Sequence, residues 1–207
     1  MLALKMKLQT WLDQTPSKVN QSKRILAYLI DWFVGGLAMM LPLCLAWMFL
    51  THDQENMASV NVYNLAAASS KTVALLVGLA GLLFAFFYYV WVPYKVYPGQ
   101  TAGKRTVGIR IVKKDGSALT FKDVLLRQGL GLLVLEGVLF NPSRLWQDMI
   151  SLGTGLNFSG YLLYACMTIT ILSLLAAMAT RSKRMLHDYI ANTTETEVPL
   201  QGRNQSI

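Results

Sequence analysis

Residues 25–50 read ILAYLIDWFVGGLAMMLPLCLAWMFL. Twenty-six residues with a single charge are long enough to cross a bilayer, which takes about 20 residues as an α-helix. The single charge is Asp31, seven residues past Lys23 and Arg24 at the preceding basic edge. A carboxylate at that depth costs roughly 2.5–3.5 kcal/mol on insertion scales, so it needs a partner, a proton or a water-filled cavity. Gly35 lies one turn further on, where a neighbouring helix could approach the carboxylate, and Pro42 is placed to kink the far half of the span.

Working outward, residues 72–93 and 158–180 are two further apolar stretches of spanning length. The chain is 54% hydrophobic and 14% charged, against roughly 25% charged residues in average soluble domains. With 207 residues, little is left for a soluble module. A net charge of +8 does not point to nucleic acid, because the basic residues flank the apolar stretches, as membrane topology places them. Cys44 and Cys166 lie within apolar stretches and have no metal or disulfide spacing, so they read as inert thiols. Residues 1–20 lack the apolar core of a cleavable signal, and the first span is expected to be retained.

Residues 1–13 place Leu4, Leu8, Trp11 and Leu12 on one helical face, as an interfacial helix would, with a frayed tail as the alternative. Residues 51–70 are polar and poor in basic residues. The second span ends in aromatics from Phe84 to Tyr97, the composition of a membrane–water belt. Residues 95–122 form a basic loop in which 106–112 alternate like a strand, 114–116 read as a turn and 118–121 return, so a β-hairpin is expected.

Residues 124–141 are apolar but carry Arg127 and Glu136. If they cross the membrane with the N-terminus inside, seventeen basic residues lie inside, and only Lys71 and Arg144 outside. If they do not cross, the split falls to fourteen against five. The positive-inside rule favours crossing, with a tilted or partly re-entrant path as the alternative for so short a segment. The expected architecture is an all-α membrane protein. Four transmembrane helices lie at about 25–50, 72–93, 124–141 and 158–180, with a short cytoplasmic β-hairpin between the second and third. Residues 1–22 form a cytoplasmic arm, 23–193 the membrane domain and 194–207 a polar cytoplasmic tail, disordered from Glu195 onward. Residues 141–157 are then an outer loop, with Trp146 at the interface.

The run from Gly99 to Arg105, GQTAGKR, is not a nucleotide loop. A phosphate loop needs four residues between its glycines and a Ser or Thr after the lysine, and here there are three, with Arg105 after Lys104. It reads as a tight turn at the membrane surface, with Lys104 and Arg105 near anionic headgroups.

Several stretches together resemble the RDD family of bacterial membrane proteins. They are KRILAYLID from Lys23 to Asp31; GQTAGKR running into VGIRIV, Asp115-Gly116 and Leu125-Leu126-Arg127; and RMLHD from Arg184 to Asp188 followed by Ala191-Asn192-Thr193. The order and spacing of these pieces carry the resemblance, which covers most of residues 23–193. It implies that the family's signature arginine and two aspartates fall on Arg24, Asp31 and Asp188. It also implies a multi-pass protein of the bacterial cell membrane, and the charge asymmetry places both termini on the cytoplasmic side. The family is suspected of transport, and sodium/proton exchange has been proposed for some members.

Arg24 and Asp31 share a helical face but are about 10 Å apart along the axis, so Arg127, entering from the same side, is the better partner for Asp31. Such a pair would clamp the first and third spans together. The other reading makes Asp31 a proton- or cation-binding carboxylate. Glu136 is expected towards the outer half, either as the second carboxylate of a relay or snorkelling to the outer interface. His187-Asp188 lacks a nucleophile or metal partner, and Asp188 is expected to bind Arg184, Lys104 or Arg105. The site candidates are therefore Arg24, Asp31, Arg127 and Asp188, with Glu136, Lys104, Arg105 and His187 behind them. No metal, cofactor or enzymatic activity is expected. The expected function is transport of a small cation or other solute. The alternative is a non-enzymatic scaffold or accessory subunit, with the bilayer, a second copy or another membrane protein as partner.

Overall fold

The computed structural model describes residues 15–137 and 141–198, so the amphipathic arm at 1–13 and the tail beyond 198 lie outside the described residues. The chain is mainly helical. Helix α1, Gln21–Thr51, begins where the Asn20 side chain accepts from the Ser22 N–H, and ends at His52 in the left-handed conformation. Its 31 residues rise about 46 Å at 1.5 Å each, more than the ~30 Å hydrocarbon layer. A short α2, Val62–Ala68, precedes α3, Lys71–Phe86, which Ser70 caps. Helix α3 runs on as a wider π-wound segment, Phe87–Val96, that contains Pro93. Helix α7, Phe158–Ala179, is the last long apolar helix. Three helices, Gln21–Thr51, Lys71–Val96 and Phe158–Ala179, are long and apolar enough to cross a membrane.

The stretch expected as a third span has different bounds. A capping box at Thr120 and Asp123 starts α5, Phe121–Val124, which continues π-wound over Leu125–Leu135. The next helix among the described residues, α6, runs over Asn141–Thr154. The expected outer loop is thus a helix packed beside α3, and the Trp146 indole N–H donates to the Leu133 carbonyl at 3.1 Å rather than serving as a surface anchor. The Lys71 ammonium donates to the Gly153 carbonyl at 2.6 Å, so the start of α3 meets the end of α6. At the other end, the Asn20 amide and Lys23 ammonium bind Glu197, and the Ser17 amide donates to the Arg181 carbonyl. The start of α1, the end of α7 and the C-terminal strand therefore meet.

The expected hairpin does not form. Thr101 caps a helix instead, α4 at Ala102–Val107, which Gly108 ends at φ 71°. Strand β1, Ile109–Lys113, then pairs antiparallel with β2, Thr193–Glu197, from Ile109 opposite Glu197 to Lys113 opposite Thr193. Residues 118–120 form no strand. The tail from Thr193 is ordered because its alternating Thr-Thr-Glu-Thr-Glu pattern supplies the partner strand, with Thr193 and Glu195 on the buried side. Strand periodicity puts every second residue on one face, and here that face carries an acid inward.

The apolar core joins α1, α2, α3 and α6 through Met39, Leu43, Val62, Leu65, Ala74, Ala85 and Leu145. Gly35 is where the Tyr89 ring crosses α1; any Cβ there would overlap the ring.

Candidate functional site

Asp31 is 4% exposed and its carboxylate is filled by hydrogen-bond donors. The Tyr88 hydroxyl donates to Oδ1 at 2.6 Å, the Gly103 amide to Oδ1 at 2.8 Å and the Thr101 hydroxyl to Oδ2 at 2.5 Å. Lys104 Nζ stands 3.9 Å from Oδ2. A carboxylate has about four lone-pair positions, so little capacity is left. The Tyr89 hydroxyl donates to the Asp31 carbonyl at 2.7 Å. The wider π turn lets two successive tyrosines face inward, so Tyr88 and Tyr89 are part of the site rather than of an interfacial belt. Gly103 allows the close approach: a Cβ there would run into the Ala27 carbonyl. Asp31 therefore docks α4 onto α1, and its expected pairing with Arg127 is replaced.

Arg127, 2% exposed, binds elsewhere. Its Nε donates to Asp188 Oδ1 at 2.9 Å, and Nη2 reaches Asp188 Oδ1 at 2.7 Å and Glu195 Oε1 at 3.0 Å. Glu195 also faces Arg24 Nε at 3.2 Å and Lys104 Nζ at 3.4 Å. Arg24 further donates to the Lys183 carbonyl at 2.7 Å and the Ser17 hydroxyl at 3.1 Å. Lys104 thus links the Asp31 lock to the Arg127 cluster. Arg184 does not bind the Asp188 carboxylate; its guanidinium donates to the Asp188 and Thr193 carbonyls and stacks over Tyr189. Arg105 lies outside the cluster, over the Tyr97 ring at 3.9 Å.

Burial pushes the Asp188 carboxyl up, but Arg127 and its neighbours outweigh it and hold the group well below the usual carboxylate range. Burial acts the same way on Glu195, where Lys104 and Arg127 overcome it and lower the carboxyl. Glu195 has three cations within 3.4 Å, Arg127, Arg24 and Lys104, and Asp188 has the Arg127 guanidinium at 2.7 Å; buried charge is tolerated when it is paired in this way.

Glu136 is corrected too. It is 3% exposed and does not reach for the outer surface. Oε1 accepts from the Ser173 hydroxyl at 2.8 Å and the His187 amide at 2.9 Å, and Oε2 lies 2.8 Å from His187 Nδ1. Residues 182–187 turn back between α7 and the π-wound segment, where the Leu186 amide donates to the Ser173 hydroxyl at 2.8 Å. Glu136 therefore meets residues that follow the last span. The pairs of the sequence-derived set are Arg127 with Asp188, Glu136 with His187, and Lys104 with Asp31. Sequence reasoning missed Glu195, Tyr88, Thr101 and Ser173. The one available signal was the strand-like alternation at 193–197.

Between α1 and α7, against these charges, lies a cavity of about 400 Å³. Ile25 and Tyr28 of α1 and Leu174, Ala177 and Met178 of α7 form mainly apolar walls, and Arg24, Lys104, Glu136, His187, Asp188 and Glu195 reach its inner side. Among the described residues no cluster of His, Cys, Asp and Glu could hold a metal ion.

A family model described as the RDD family matches residues 19–192. The chain is also similar to the uncharacterized protein YckC of Bacillus subtilis (strain 168), with 28% identity over 173 residues, 84% of this chain and 80% of the relative. No solved structure matches the chain.

Proposed function

The chain belongs to the RDD family, and from that premise we propose a non-enzymatic, four-pass protein of the bacterial cell membrane that carries a small cation through the cavity between α1 and α7. The start of α1 and the end of α7 meet at the same end of the molecule, which supports an even number of crossings. The pair of helices between them, the π-wound segment after α5 and then α6, supplies the crossing between the second and last spans in this reading. Broken helices at membrane depth are tolerated where protein or a cavity surrounds the freed backbone. The basic loop and both termini lie on the cytoplasmic side in this reading, by charge asymmetry.

The observation that carries the transport reading is the cavity itself, which brings ionisable groups against open space beside two spans. Ionisable groups inside a span mark ion or proton pathways by default. Asp31 is a poor ion site because, besides its three hydrogen bonds, the Lys104 ammonium already stands 3.9 Å from it. Glu136 is the better one, since its bonds come from a serine hydroxyl, a backbone amide and an imidazole, with no Lys or Arg among them. The test is cation-dependent flux in proteoliposomes carrying an internal pH dye, under sodium, potassium or lithium gradients. Flux is expected in the parent and in Asp31→Asn, and is lost in a folded Glu136→Gln. A folded parent that moves no cation refutes the reading. That result favours the scaffold, whose support is the mutual saturation of Arg127, Asp188 and Glu195.

A further inference from the structure

Helix α7 turns small side chains inward. Its buried residues are Ser159, Cys166, Ser173 and Ala177. The first three lie seven residues apart, two helical turns, so they share one face over about 21 Å. Each meets a polar partner across the seam. The Ser159 amide donates to the Ser151 hydroxyl at 2.6 Å, and the Gln147 side-chain amide donates to the Cys166 sulfur at 3.5 Å. The Cys166 thiol donates in turn to the Val134 carbonyl at 3.3 Å, and the Ser173 hydroxyl to Glu136 at 2.8 Å. The seam therefore ends on Glu136, which also lines the cavity between α1 and α7, whereas Gln147, Asp148 and Cys166 do not line that cavity.

Small residues let helices pack closely, and serine hydroxyls tie them together. That accounts for the stripe but not for two oxygens on α6. Gln147 is 1% exposed and Asp148 8%, yet Gln147 Oε1 and Asp148 Oδ1 have no hydrogen-bond partner among the described residues. A buried acceptor is costly to leave without a donor, and close packing alone gives no reason to keep one. The Gln147 amide is held in the seam by its bond to Cys166, so its unpaired oxygen lies there as well. The other Asp148 oxygen meets the half-exposed Arg144 at 3.3 Å, which places the acid where the seam opens on the outer side of the four-pass reading. Carboxylate and amide oxygens are the ligands that hard cations take. With no cluster among the described residues that would hold a metal in place, they suit an ion in passage.

We propose that the seam between α6 and α7 admits a small monovalent cation from the outer face, which passes from Asp148 by Gln147 and Cys166 to Glu136. As the outer leg of a transport route this rests on the cation reading of the chain; as an entry it is read by access alone.

The test uses silver ion, a thiol-reactive monovalent cation, on the full chain in sealed right-side-out membrane vesicles with glutathione trapped inside to quench silver that crosses the lipid. Cys44→Ala leaves Cys166 as the single thiol. After exposure the vesicles are dissolved in denaturant and the remaining free Cys166 is measured with a maleimide. Silver added outside should block Cys166. Asp148→Asn keeps the shape and removes the charge, and should slow blocking about tenfold, the lower end of the effect of a charge that focuses ions into a cleft. Gln147→Leu puts an apolar side chain in the seam and should leave Cys166 unblocked over the same time. Thermal melts establish that each variant is folded, and Asp148→Asn carries the test if Gln147→Leu is not. Cys166 left free in the Cys44→Ala protein, or blocked at an unchanged rate in either folded variant, overturns the proposal, even where cation flux is present and the transport reading stands. A protein that passes no cation but shows both expected effects loses the transport reading and keeps the entry.

Discussion

Replacing Arg127 with methionine should be the most damaging single change in the cytoplasmic cluster. The guanidinium is 2% exposed and makes three charged contacts of 2.7–3.0 Å, two to Asp188 and one to Glu195. Glu195 keeps Arg24 at 3.2 Å and Lys104 at 3.4 Å after the change. Asp188 keeps only a 3.4 Å hydroxyl bond from Thr193, a cap bond to the Met185 amide and a loose His187 contact. It becomes a buried acid without a strong cation. Removing one partner of a buried pair costs about 3–5 kcal/mol, and the retained contacts of Glu195 place the expected loss near the lower bound. At roughly 2–4 °C per kcal/mol for a chain of this size, the melting temperature should fall by about 6–12 °C. The assay is thermal unfolding in detergent, followed with a thiol-reactive dye that reports exposure of the buried Cys166. The decisive arm is Arg127→Met combined with Asp188→Asn, which removes the stranded charge and should recover at least half of the loss. A single-variant loss below about 1 kcal/mol, the range of exposed pairs, would refute the reasoning. So would a double variant weaker than the single one.

Acidification should weaken the same cluster. Asp188 and Glu195 both have folded-state pKa values below their ordinary ones, so their stabilisation is complete above the unfolded values near pH 4 and is lost as pH falls through the folded ones. Melting temperatures between pH 7 and 3 should be level at the top and drop below about pH 4.5; a rise on acidification would contradict the assignment. Gly103→Ala puts a Cβ against the Ala27 carbonyl and should cost about 1–3 kcal/mol as overpacking. Protease cleavage within residues 101–113 should become faster, and unchanged cleavage would show that α4 is not docked through Asp31. For topology, Gly153 is exposed with open space around it, whereas Ser151 is buried and bonded to the Ser159 amide. A Gly153→Cys variant should label with an impermeant maleimide from outside the cell, and protection there would overturn the four-pass reading.

The three long apolar helices were legible in the sequence because spanning length and absence of charge are local properties. The stretch expected as a third crossing was marked only by charge asymmetry, and its helices have other bounds than those expected. That stretch is π-wound through Gly129 and Gly131 to Leu135, and the next described helix starts at Asn141. The amphipathic helix α6, with Arg144, Gln147 and Asp148, read as a loop. The hairpin failed because pairing in a sheet is not local. Residues 109–113 have strand character in the sequence, but their partner lies some eighty residues on.

The candidate site divides in the same way. Composition, order and spacing alone determined that this is a membrane chain of the RDD family, and that Arg24, Asp31, Arg127, Glu136, His187 and Asp188 are charged or titratable groups where such groups are costly. Burial supplies that cost whatever the partner, so it can be read without a fold. The partners themselves were decided only by tertiary structure. A carboxylate is satisfied by whichever donors arrive within about 3 Å, and those came from elements distant in the sequence. Tyr88 comes from a widened turn, Gly103 from a helix that replaces the expected strand, and Glu195 from a tail that returns as β2. Asp31 was recognisable from one helix as a group that must be paired; that it locks α4 to α1, while Arg127 holds Asp188 and Glu195, follows from the path the chain takes between them.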